Sequence, residues 1–108
     1  MIRSERKVDF MKKVYFTLTG LNHYFGDAFI KKGLEVKLIK EPDNKYDKEA
    51  IRVEVDGLGK IGYVANSTNT VLGESFSAGR MYDRFGKKSK GKVVYVTSRG
   101  VLCKLKQK

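Results

Sequence analysis

The sequence predicts a small, mainly β fold, a six-stranded barrel of the OB or SH3-like kind carrying two short helices. Three observations lead there. Apolar residues recur with period two along most of the chain. Glycine-bearing turns separate the apolar runs. The 108 residues suffice for one domain with one core.

The strands follow in order. Val14, Phe16 and Leu18 alternate with Tyr15, Thr17 and Thr19. Residues 22–30 hold His23, Tyr24, Phe25, Phe29 and Ile30 without a clean period, which reads as a loop with one helical turn. Leu34, Val36 and Leu38 alternate with Glu35 and Lys37 in the second strand, and Ile51, Val53 and Val55 with Arg52 and Glu54 in the third. Asp56-Gly57-Leu58-Gly59 is a hairpin turn into a fourth strand over Lys60–Val64. Asn66 or Ser67 can cap a short helix through Thr70, Val71 and Leu72 that ends near Gly73. Met81 and Phe85, four apart, indicate a second helical turn before Gly86. Strands over Lys92–Thr97 and Val101–Lys106, joined by Ser98-Arg99-Gly100, complete the set. Residues 1–11 read as a disordered extension and 12–108 as the domain, with Met11 an alternative start.

The net charge of +11 is unevenly spread. Residues 1–13 balance at +3, residues 14–79 at −1 and residues 80–108 at +9, with Asp83 the only acid in that last third. A segment so one-sided suits a polyanion-facing surface, with Lys87, Lys88 and Lys90 as candidate contacts. The alternative is a solvated loop whose lysines only keep a small protein in solution.

Leu38–Val53, LIKEPDNKYDKEAIRV, is the most informative stretch. A strand runs out, Lys40-Glu41-Pro42-Asp43-Asn44 makes a turn, and Tyr46 and Asp47 stand together at the loop tip before the next strand. An aromatic ring beside a carboxylate on a loop can clamp a nucleotide that ends in a hydroxyl. Base-on-aromatic stacking contributes roughly 1–3 kcal/mol per base and tolerates any base. A carboxylate only accepts hydrogen bonds, so it favours a donating hydroxyl and repels a terminal phosphate. The structural alternatives are an Asp47 that merely caps its turn and a Tyr46 packed over the barrel mouth.

Four ordered pieces, Gly20-Leu21-Asn22-His23-Tyr24-Phe25-Gly26, Lys40-Glu41-Pro42-Asp43-Asn44, Tyr46-Asp47-Lys48-Glu49-Ala50-Ile51 and Ile61-Gly62-Tyr63-Val64, resemble the signature of the HIRAN domain. That small module is found at the N-terminus of some DNA-remodelling helicases and as a free-standing bacterial protein. The resemblance covers roughly residues 12–106. It implies the same barrel, and a role for Asp47 in holding the 3′ end of single-stranded DNA with Tyr46 as stacking partner. It also implies a setting in damaged, stalled or unwound DNA, with a helicase or nuclease partner doing the remodelling or cutting. Two departures stand out. Asn22, His23 and Tyr24 occupy positions where many members carry a basic residue and two aromatics; His23 can still stack on a base. Asn66 stands where a lysine helps hold the terminal phosphate in helicase-type members.

Other classes find little support. No Walker-type glycine loop is present, so no ATPase is expected. One cysteine and one histidine cannot build a zinc site, and Glu41, Asp43, Asp47 and Glu49 do not fit a calcium loop. Neither metal nor small-molecule cofactor is implied, and no catalytic set is signalled; a nuclease using His23 with Asp47 would lack metal ligands. Cys103 reads as a buried small hydrophobe. The single cysteine, a charged N-terminus and the lack of a long apolar run point to a cytoplasmic protein without a membrane span. The remaining rival is a protein-interaction module that docks a partner peptide while its basic surface acts non-specifically.

Overall fold

Alternating apolar and polar residues suit an antiparallel sheet that buries one face and wets the other. In the computed structural model, which describes residues 14–20, 30–67 and 69–106, six antiparallel strands provide it. They are β1 (Tyr15–Thr19), β2 (Glu35–Lys40), β3 (Ile51–Val55), β4 (Gly59–Val64), β5 (Lys88–Thr97) and β6 (Gly100–Lys106). The barrel closes in the order β1-β4-β3-β2-β5-β6, with β6 returning to β1 through four paired positions, Tyr15↔Lys104 to Leu18↔Val101. The inward set is the one the period-two reading selects: Phe16, Leu18, Val36, Leu38, Ile51 and Val53 are all buried. The glycines of the β3–β4 turn take positive φ, 87° at Gly57 and 78° at Gly59.

The seam between β1 and β4 is short, with only Leu18↔Val64 and Thr19↔Tyr63 paired. The chain after β4 covers the rest of β1. Ala65 N–H donates to the Thr17 carbonyl at 2.8 Å, and Phe76 N–H to the Tyr15 carbonyl at 2.7 Å. Thr17 points outward from the sheet yet is fully buried beneath this segment. Its hydroxyl accepts the Leu72 N–H at 3.0 Å and bonds the Ser75 hydroxyl at 3.0 Å.

Two expectations need correction. No helix forms over Asn66–Leu72 in the described residues. Ser67 does gather the turn, its carbonyl accepting the N–H groups of Thr70 and Val71, each at 3.0 Å. Thr17 then claims the next amide, Leu72, and Gly73 turns the chain with φ 53°. Local capping chemistry was present, but a tertiary hydrogen bond diverted the chain. The other helix, α1 (Ala78–Met81), starts earlier than the Met81–Phe85 spacing suggested and runs into a 3₁₀ turn over Tyr82–Arg84. The Ser77 hydroxyl caps it, and Ala78 and Met81 face the core. Second, β5 begins four residues before the expected Lys92. Lys-Ser-Lys-Gly is poor strand sequence by propensity. Pairing with β2 from Ile39↔Lys88 to Glu35↔Lys92 holds it extended all the same. Gly91 leaves room there for the Phe16 ring, which a Cβ would meet at 3.1 Å.

The expected N-terminal extension, residues 1–11, lies outside the described residues. No helix among the described residues is long and apolar enough to cross a membrane.

Candidate nucleic-acid interface

The loop between β2 and β3 is built on Asn44. Its side-chain oxygen accepts the N–H groups of Tyr46 at 2.8 Å and Asp47 at 3.0 Å, an Asx-type turn that closes the loop on itself. The amide nitrogen of Asn44 donates to Glu41 Oε1 at 2.9 Å. Glu41 is the hub beneath the loop: it also receives the Tyr63 hydroxyl at 3.0 Å and Arg52 Nη1 at 2.9 Å. Arg52 Nε lies 2.8 Å from Glu54 Oε2, a charge contact too poorly aligned to count as a hydrogen bond. Desolvation pushes the Glu41 carboxyl up. The three donors and the Arg52 charge outweigh it, leaving the group below its ordinary range. For Tyr63, burial and the adjacent Glu41 raise the phenol.

Tyr46 and Asp47 sit on the rim of an open groove of about 570 Å³. Thr19, Tyr63, Val64, Ala65, Asn66 and Ser67 complete its walls, so it spans the ends of β1 and β4 and the chain just beyond. The Tyr46 ring is 94% exposed, which removes the alternative in which it packs over the barrel mouth. Asp47 serves its turn in part: Oδ1 accepts the Glu49 N–H at 2.9 Å, while Oδ2 accepts Asn66 Nδ2 at 2.9 Å. An ionised carboxylate has about four acceptor sites. Both oxygens therefore keep capacity for a visiting donor.

Asn66 ties the loop to α1. Its Oδ1 accepts the Gly79 N–H at 2.8 Å, and that backbone donor fixes which way the amide faces. The amide nitrogen is thereby turned toward Asp47, and also lies 3.5 Å from Glu49 Oε1.

The structure thus gathers Tyr46, Asp47 and Asn66 on one groove. Lys88 and Lys90 are elsewhere, on the outer face of β5, with Lys87 exposed just before it. Asn22, His23 and Tyr24 lie outside the described residues. Sequence reasoning missed Asn44 and Glu41, whose signal was the Asx-turn spacing to Tyr46 and Asp47. It also missed Lys45 and Lys48, exposed cations flanking the pair. Among the described residues no cluster of three or more His, Cys, Asp or Glu side chains is placed to hold a metal ion.

Comparison with known proteins agrees with this fold. The HIRAN domain of human HLTF superposes with a TM-score of 0.58 at 18% identity, over 88% of this chain and 75% of that one. A Lactobacillus plantarum protein of known structure gives a TM-score of 0.55 at 25% identity, over 87% of this chain and 93% of that one. No curated protein sequence matches. The family model for the HIRAN domain matches residues 11–107, and with nearly the whole chain accounted for, the protein belongs to the HIRAN domain family of nucleic-acid-binding modules.

Proposed function

We propose that this domain binds single-stranded DNA at a free 3′-hydroxyl end, in DNA repair or replication-fork processing. The observation that carries the reading is the fully presented Tyr46 ring standing beside the half-buried Asp47 on one open groove. The ring offers a face for the terminal base. Asp47 accepts the terminal hydroxyl's hydrogen bond and repels a terminal phosphate. Lys45 and Lys48, exposed on either side, are available to the phosphates that follow. On this reading the domain recruits or positions a helicase or nuclease in the cytoplasm and performs no chemistry itself.

The test is a fluorescence-anisotropy titration with matched oligonucleotides ending in 3′-hydroxyl or 3′-phosphate, or circularised. The parent should prefer the hydroxyl end, and its affinity should fall steeply between about 50 and 200 mM salt as phosphate contacts release counterions. Asp47→Asn keeps the shape and an acceptor for Glu49 while removing the charge. It should abolish the end preference with general affinity retained. Tyr46→Ala should weaken binding to every single strand by about 1–3 kcal/mol. Equal discrimination by the parent and Asp47→Asn would overturn the role assigned to Asp47.

A further inference from the structure

The strands β2, β5 and β6 turn six lysines to the same outer face: Lys37, Lys88, Lys90, Lys92, Lys104 and Lys106. None of them lines the Tyr46–Asp47 groove. The ladder register places like charges directly opposite one another, Lys37 against Lys90, Lys90 against Lys106 and Lys92 against Lys104. Such pairs destabilise a sheet. Acids face this set at two positions of the same ladders, Glu35 opposite Lys92 and Glu54 opposite Lys37. Here Glu35 and Asp56 supply the countercharge, Glu35 2.8 Å from Lys106 and Asp56 2.6 Å from Lys37. Among the described residues no carboxylate lies within ion-pairing distance of Lys88, Lys90, Lys92 or Lys104. Along β5, Lys88, Lys90 and Lys92 repeat every second residue, about 7 Å apart at the usual strand rise.

We propose that this face is a second nucleic-acid surface, one that takes the phosphate backbone of duplex DNA. Flexible ammonium groups in rows meet phosphates without reading bases. A platform for single strands would instead interleave aromatics with the charges. Among the described residues no exposed aromatic stands among these lysines; Tyr95, 65% exposed, lies past the end of the rows, opposite Leu102. The depression of about 360 Å³ between Lys37, Lys88 and Lys90 contains Arg52, already held by Glu41 and Glu54. The usable positive charge is therefore that of the lysines. The domain would hold a terminus in its groove and a double-stranded region on its flank, and the second contact stands whether or not the first is correct.

The experiment compares the parent with a Lys90→Gln, Lys92→Gln, Lys104→Gln triple variant. One probe is a covalently closed dumbbell duplex, which has no end for the groove. The other is a four-nucleotide single strand with a 3′-hydroxyl. The triple variant should bind the dumbbell at least about tenfold more weakly, and its log-log salt slope should shrink by about 2.7, three contacts at 0.9 each. Its affinity for the tetranucleotide should change less than about twofold, and the corresponding triple arginine variant should bind the dumbbell like the parent. Circular dichroism checks that each variant is folded. The proposal is overturned if the parent fails to bind the dumbbell, if the triple glutamine variant binds it undiminished, or if both probes weaken equally. That last result would mean a diffuse field rather than a duplex-binding surface.

Discussion

Asn66 and Asp47, nineteen residues apart, meet side chain to side chain at 2.9 Å, and the same asparagine anchors itself on the Gly79 N–H at 2.8 Å. The acid on the groove is therefore positioned by the first turn of α1 through one amide. A lysine at position 66 would keep an attraction to Asp47 and leave the Gly79 N–H without this acceptor. It would also bring a cation to the groove. Asn66→Lys should steepen the salt slope for single-strand binding by about 0.7, one added phosphate contact. It should also lower stability by about 1 kcal/mol. Salt-dependent anisotropy and urea melts read the two effects separately. An unchanged slope would mean that position 66 does not reach the bound strand.

Glu41 joins the loop to the barrel wall, and its depressed carboxyl gives a direction in pH. A group whose folded pKa lies below its unfolded value of about 4.5 adds stability above that value, and the contribution disappears as pH falls through the folded pKa. Glu41→Gln should cost about 1–2 kcal/mol at pH 7, since hydrogen bonds to a charged group are among the stronger ones. The difference from the parent should shrink below pH 4.5 and vanish once the folded-state carboxyl is protonated. Urea unfolding across a pH series measures it. A constant difference at all pH values would show that shape, not charge, is what Glu41 contributes.

Much of this architecture is legible in the sequence because a period-two pattern needs no tertiary knowledge. The inward residues of β1, β2, β3 and β6 can be read directly, as can the glycine turn between β3 and β4. What could not be read depended on distant partners. Thr17 looks like a solvent-facing strand residue until residues 72–76 lie over it. Lys88–Gly91 looks like loop until β2 supplies a ladder and Phe16 fills the space above Gly91. In the groove, the adjacent Tyr46 and Asp47 were visible as a motif. The Glu41 hub was not, because Arg52 and Tyr63 reach it from two other strands, β3 and β4.

Cys103 is fully buried on β6, and desolvation pushes its thiol up to about 12. Only the thiolate attacks disulfides and alkylating agents at a useful rate. In native conditions at pH 8, Cys103 should react with a thiol reagent at least about a hundredfold more slowly than in urea, at a rate limited by opening of the barrel. Timed labelling read by mass spectrometry checks this. Fast native labelling would place the thiol at the surface and remove it from the core.

Gly62, beside the groove residue Tyr63, packs its Cα side closely against the end of β1. A Cβ added there would meet the Thr19 carbonyl oxygen at 2.3 Å and Leu18 Cδ1 at 3.1 Å. The backbone oxygen cannot rotate away, so the short β1–β4 seam would have to open. Because that seam carries only two paired positions, it has few contacts with which to absorb the strain. Gly62→Ala should therefore destabilise the domain by about 2–3 kcal/mol, the upper range for an overpacked site. Binding should weaken with it, since Thr19 and Tyr63 are both walls of the groove. Gly86→Ala is the control, because nothing lies within 4 Å of a Cβ at that position, and its stability should stay within about 0.5 kcal/mol of the parent. Should both variants melt alike, close approach of the two backbones is not what position 62 requires, and the groove wall is more tolerant than its geometry implies.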